Sequence, residues 1–366
     1  MTRPLTLFLC IAWLASACTS KKESKKLFEL LPSGQTGVHF INRLHEDDQL
    51  NILTYEYFYN GGGVGAGDVN NDGLTDLFFT GNMSESKLYI NQSKDQKIQF
   101  EDITTQSGIH IPGGWARGVA MVDINADGFL DIYVCRAGPA QAGALPNLLF
   151  INQKNNTFKE QAKAYGLDFS GNTTQAAFFD YDHDGDLDAY LVTNVMNMRG
   201  PNNIRPKVSD GTSPNADRLF RNNGNGTFTD VSQAAGILEE GYGLGIAVTD
   251  VNRDGWPDVY IPNDYVSNDL LYINQQDGTF RNEIASYFKH QSYSAMGNDA
   301  ADIDNDGLVD FITVDMLPED PVRRKNMFGL MNYDRHLSEL RMGYEPQFMR
   351  NTLQHNEGAA PGINHP

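Results

Sequence analysis

One acidic pattern, Asp-x-Asn/Asp-x-Asp-Gly-x-x-Asp, occurs five times in this chain, beginning at Asp68, Asp123, Asp180, Asp250 and Asp302. Whatever fold the chain adopts must accommodate five clusters of carboxylates that repel one another unless a cation sits among them. A hard divalent ion suits the composition, because Ca²⁺ takes roughly six to eight oxygen ligands and accepts carboxylates, amide oxygens and backbone carbonyls together. Positions 1, 3, 5 and 9 can converge if the chain curls at the glycine of position 6, a residue that tolerates the curl. The candidate ligands are Asp68, Asn70, Asp72 and Asp76; Asp123, Asn125, Asp127 and Asp131; Asp180, Asp182, Asp184 and Asp188; Asp250, Asn252, Asp254 and Asp258; and Asp302, Asp304, Asp306 and Asp310. A single copy would read as a solvated Asp-Gly turn, whereas five copies at one internal spacing argue for metal. The loop is not an EF-hand, which needs a bidentate Glu at position 12 and flanking helices.

Successive loops begin 55, 57, 70 and 52 residues apart, a period that marks a repeat architecture. Each loop follows a small-residue strand, such as Gly63 to Gly67 or Gly118 to Val122, and precedes a β-rich run, such as Ile132 to Val134 or Ala189 to Val192. A third strand carries a shared ending (Leu88-Tyr-Ile-Asn91, Leu149-Phe-Ile-Asn152, Leu219-Phe-Arg-Asn222, Leu271-Tyr-Ile-Asn274), and Asn-Gly or Asp-Gly turns lead to a fourth at Phe228 and Phe280. Four antiparallel strands per repeat describe a propeller blade, so the expected fold is an all-β β-propeller. Small inner-strand residues fit the crowding at a propeller axis. The run Gly61 to Gly67 is therefore not read as a phosphate-binding loop, since it lacks the dinucleotide spacing and the P-loop lysine and leads into no helix.

Joined to the Leu-Tyr-x-Asn and Gly-Thr-Phe strands, these loops resemble the FG-GAP/VCBS repeats of integrin-α-type β-propellers. More narrowly, Tyr57-Phe-Tyr-Asn-Gly-Gly-Gly63, Asp315-Met-Leu-Pro318 and Arg350-Asn-Thr-Leu-Gln354 resemble Bacteroidetes propeller lipoproteins related to the ASPIC/UnbV and cartilage acidic protein group. The resemblance covers residues 28–356. It implies bound Ca²⁺, with the backbone carbonyls of Leu74, Phe129, Asp186, Trp256 and Leu308 at position 7 completing the ligand sets. It implies no activity, because such repeats serve mainly as binding scaffolds. Members usually continue to seven blades, so the irregular tail 357–366 leads us to expect a truncated ring. The competing arrangement is a closed five-bladed ring in which Gly37 to Ile41 supplies the missing outer strand of blade five.

The formal charge of −19 argues against a nucleic-acid partner, whose phosphates the protein would repel. Seventeen of the 47 acidic residues sit at the candidate ligand positions, and five Ca²⁺ ions would bring the total to −9. At the N-terminus, Arg3, the apolar run Leu5 to Leu14 and Ala15-Ser-Ala-Cys18 read as a signal peptide over 1–17, too short in its apolar part to span a bilayer. The ending resembles a bacterial lipobox, which would make Cys18 the lipidated residue of an outer-membrane lipoprotein, with 18–27 as a polar tether. Leu14 stands four places before the cysteine rather than three, so plain cleavage after Ala17 stays open. With Cys10 removed and Cys18 anchored, only Cys135 is left, and it reads as a buried structural thiol.

Two insertions break the rhythm: Asn194 to Asp217, with Arg199, Arg205 and Lys207, and Leu317 to Gln347, with Arg323-Arg-Lys325 and a helix-like stretch from Tyr333 to Met342. Long loops on rigid scaffolds are common binding sites, and their basic residues would suit an anionic glycan. The expected function is a cell-envelope Ca²⁺-binding scaffold for a protein or glycan, with structural rather than catalytic calcium. A propeller-type glycosidase or lyase is the alternative. The chain holds no His-Glu-x-x-His and no Gly-x-Ser-x-Gly, and His183, at position 4 of its loop, is expected to face solvent.

Overall fold

The computed structural model describes residues 26–139, 142–143, 145–196, 202–326 and 332–358. The signal peptide, Cys18 and most of the tether and tail lie outside the described residues, as does Arg199. Four sheets follow the expected order from inner to outer strand, each antiparallel throughout. Blade one comprises Val64–Gly67, Asp76–Phe79, Lys87–Asn91 and Phe100–Asp102. Blade two comprises Ala116–Val122, Asp131–Arg136, Leu148–Asn152 and Phe158–Glu160. Blade three comprises Thr173–Phe179, Asp188–Thr193, Arg218–Asn222 and Phe228–Asp230. Blade four comprises Ala247–Thr249, Asp258–Ile261, Leu270–Asn274 and Phe280–Asn282. Blade five pairs Ala295–Ala301, Asp310–Asp315 and Thr352–Gln354, and among the described residues it has no fourth strand.

Alternation along each second strand sends its side chains to both neighbouring blades, as the two-residue period of a strand requires. Ile132 and Val134 of blade two pack with Phe78 of blade one, while Tyr133 and Cys135 pack with Ala189 and Leu191 of blade three. Tyr190 and Val192 in turn meet Val259 and Ile261, and Tyr260 meets Phe311. Cys135 is fully buried in this seam, and burial pushes its thiol pKa up, which agrees with an unreactive packing role. The pattern stops at blade five, where Ile312 and Val314 are 42% and 44% exposed.

Connectors between blades share one device. Gly37, Gly108, Gly166 and Gly236 all have positive φ, and a Cβ on them would lie 2.4, 3.2, 3.0 and 2.7 Å from the carbonyl oxygens of Phe100, Phe158, Phe228 and Phe280. Each glycine thus lets the end of one repeat press on the outer strand of the next, where a side chain would collide. Gly37 does this to blade one. The His39 N–H also donates to the Tyr89 hydroxyl at 3.2 Å, and Phe40 stacks on Phe79 at 5.1 Å. The segment Gly37 to Ile41 therefore packs on blade one and is not an outer strand of blade five.

Candidate metal centres

The five acidic loops close the same end of each inner hairpin, between first and second strands. Their glycines sit at φ +87 to +94, and position 4 is left-handed as well, at Asn71, Ala126, His183, Arg253 and Asn305. The position-1 carboxylate organises the curl. Asp68 accepts from the N–H of Asp72 at 3.1 Å and of Gly73 at 2.7 Å, and Asp123, Asp180, Asp250 and Asp302 repeat both bonds. These bonds curl the chain back on position 1, and each of its oxygens, taking one bond, keeps a lone pair for a cation.

Position 9 has a different setting. Asp76, Asp131, Asp188 and Asp258 are fully buried, and Asp310 nearly so. Each accepts one bond from the N–H of loop position 2 and another from the N–H of the asparagine that ends the third strand; for Asp258 these come from Val251 at 2.9 Å and Asn274 at 2.8 Å. Burial pushes Asp131, Asp188 and Asp258 up to about 7. Burial pulls the same way at Asp310, but the N–H groups of Asn356 and Ile303, with His355, outweigh it and hold that group low. A bound cation would favour the charged form in all five.

The recurrent asparagines Asn91, Asn152, Asn222 and Asn274 have a fifth counterpart in Asn356, just past the third strand of blade five. Their amides donate to the carbonyl of loop position 8 (Thr75, Leu130, Leu187, Pro257, Val309). Three also reach a neighbouring loop, Asn152 to Val69, Asn274 to Tyr181 and Asn356 to Val251. They belong to the framework that holds the loops. Adjacent loops also touch through position 4: Asn71 donates to the Gly128 carbonyl at 2.8 Å, and the exposed His183 ring stacks on Trp256 at 3.9 Å instead of standing free.

The donor sets fit a hard cation. In loops three and five, Asp180, Asp182 and Asp188, and Asp302, Asp304 and Asp310, bring carboxylate oxygens within 4.8 Å of one another. Asp182 Oδ1 is buried with no hydrogen-bond partner, a costly state that a metal would relieve. These are the two loops with Asp rather than Asn at position 3, and they alone have a basic residue beside the third-strand asparagine: Arg221 and His355, where the other blades carry Ile90, Ile151 and Ile273. His355 lies 3.0 Å from Asp310 and 3.9 Å from Asp304, so the added negative charge is matched locally. Ligand charge helps set affinity, and loop three should bind more tightly than loop one. Calorimetry of Asp184→Ala beside Asp72→Ala checks this: the former should remove the tighter class of site, and loss of that class in the latter would reverse the ranking.

The described basic residues of the first insertion are not free, whereas the Arg323-Arg-Lys325 run of the second is. Arg205 forms a two-pronged pair with Glu240, Lys207 sits 5.3 Å over the Tyr344 ring, and Arg335 bonds Glu339 and the Asn202 carbonyl. The Tyr344 hydroxyl donates to the Arg205 carbonyl at 2.9 Å, so the two insertions dock on each other. The helix Tyr333–Arg341 forms where expected, capped by Asn332, and supplies part of this contact. Arg323, Arg324 and Lys325 remain exposed on the short helix Pro321–Asn326.

A family profile for the FG-GAP-like repeat matches residues 68–134, 208–261 and 250–313. Loop three falls outside those stretches yet shows the same geometry. Cartilage acidic protein 1 of Xenopus tropicalis is 26% identical over 212 residues, which cover 56% of this chain and 29% of that protein. Its Mus musculus counterpart is 27% identical over 210 residues, covering 55% and 28%. The match thus spans less than a third of these relatives. Among solved structures, the V. cholerae biofilm matrix protein Bap1 aligns with TM-score 0.35 and 16% identity over 69% of this chain and 34% of that one. By its repeats and its blades, the chain is an FG-GAP-repeat β-propeller.

Proposed function

We propose that this protein is a Ca²⁺-stabilised propeller scaffold of the bacterial cell envelope that binds a protein or glycan, and that it performs no catalysis of its own. The similarity to cartilage acidic protein 1 supports placing it with the ASPIC/UnbV-related propellers. The observation that carries the scaffold reading is the use made of the loop carboxylates. Position 1 orders its own loop, and position 9 fastens the inner hairpin to the third strand. A cation held there has its ligands supplied by one turn of chain, and its binding stabilises the native state by mass action. The lipidated Cys18 would hold the scaffold at the outer membrane. Screening the full chain in Ca²⁺ against a polysaccharide panel, reading both retention and released sugar, tests this. Retention without product supports the scaffold, and turnover of any substrate would replace it with the glycosidase or lyase reading.

A further inference from the structure

At the end of the inner strands opposite the metal loops, a segment preceding blade one lies across the ring. The Tyr57 hydroxyl donates to Asp264 of the blade-four loop at 2.9 Å and accepts from Asn194 of blade three at 3.3 Å, and the Tyr265 hydroxyl donates to Glu56. Arg117 of blade two is 6% exposed and gives its guanidinium protons to the carbonyls of Tyr57, Asn60, Gly61 and Ala137 and to the Tyr55 hydroxyl. Beneath this segment is a cavity of about 400 Å³, lined by Tyr55, Tyr57, Tyr59, Arg117, Gln175 and Asn194 among others. That volume lies in the range of sites for small organic ligands, roughly 300–1,000 Å³.

Three features of the wall specify a ligand. Arg117 has no carboxylate among its hydrogen-bond partners, and its five N–H groups are all spent on protein oxygens, so it favours an anion through its charge while the Tyr55 hydroxyl supplies the donor. The Tyr55 hydroxyl accepts from that guanidinium at 3.1 Å, and no acceptor among the described residues takes its proton, which makes it a polarised donor. Asn194 is 3% exposed; its amide nitrogen is committed to Tyr57, and its Oδ1, buried and without a partner, is an acceptor in want of a hydroxyl. Tyr59, 59% exposed, adds a ring against which a pyranose can lie.

We infer that this cavity is a saccharide site that takes one carboxylate-bearing unit of a glycan, the sugar acid facing Tyr55 and Arg117 and a ring hydroxyl donating to Asn194. The inference rests on the glycan branch of the scaffold reading and moves the expected anionic-glycan contact from the insertions to the ring axis. Calorimetry of the full chain in Ca²⁺ with a trigalacturonate, a triglucuronate and the neutral maltotriose tests it. At least one acidic trisaccharide should bind ten or more times more tightly than maltotriose. Tyr59→Ala and Gln175→Ala, neither of which removes a bond from the crossing segment to Arg117, Asn194, Asp264 or Tyr265, should each weaken that binding at least fivefold with unchanged melting temperature. Equal binding of the neutral sugar, indifference to both substitutions, or binding of neither acid overturns the site. None of these outcomes bears on catalysis, so the scaffold reading stands or falls separately on product release in the panel.

Discussion

Removing Ca²⁺ with excess chelator at low salt should lower the melting temperature of the full chain by on the order of 20 °C. A ligand at a hundredfold its dissociation constant stabilises the native state by about 2.7 kcal/mol per site. Even with incomplete additivity among five loops, the total far exceeds the effect of an ordinary substitution, and a domain of this size loses about 2 °C per kcal/mol. The physical cause is repulsion. Asp180, Asp182 and Asp188 bring carboxylate oxygens within 4.8 Å of one another, with Asp184 in the same nine-residue loop, and without a cation the native loop holds them together against their mutual field. A scanning-calorimetry trace unchanged by chelator would mean that the loops are held by hydrogen bonds alone.

The second large effect separates the two kinds of aspartate within one loop. Asp258→Ala should destabilise the chelated protein by about 2–6 kcal/mol, because it strips partners from two buried N–H groups, each costing about 1–3 kcal/mol when unsatisfied. Those groups belong to Val251 and Asn274, which join the inner hairpin to the third strand. Asp254→Ala, at an exposed position whose carboxylate accepts the Trp256 N–H, should cost less than about 1 kcal/mol under the same conditions. With Ca²⁺ present both should lose the site. Urea unfolding with and without chelator gives all four values, and equal losses for the two variants in chelator would remove the distinction drawn here.

Much of this architecture was legible because it is local. The loop pattern, the small inner strands and the Leu-Tyr-Ile-Asn endings each lie within a few residues and recur, so periodicity alone marked the blades. The role of Asn152 or Asn274 was hidden, because its amide reaches a carbonyl 83 or 93 residues away. The crossing segment was equally opaque: Tyr57 meets Asp264 across 207 residues, and nothing near Tyr57 in the chain announces that partner. The first insertion misled for a related reason. Arg205 and Lys207 look free beside Pro and Gly, but Glu240 and Tyr344, which occupy them, arrive from blade four's approach and from the second insertion.

Taken singly, each loop would read as a solvated Asp-Gly turn; the fastening at position 9 shows what its recurrence builds. Asp188 accepts from the N–H groups of Tyr181 and Asn222, and its counterparts at position 9 repeat both bonds in every blade. The central claim is one cation per loop. Native mass spectrometry of the apoprotein titrated with Ca²⁺ measures it most directly: the account predicts saturation at five ions with loop three among the first filled, whereas a protein that takes up none, or a single ion, contradicts it.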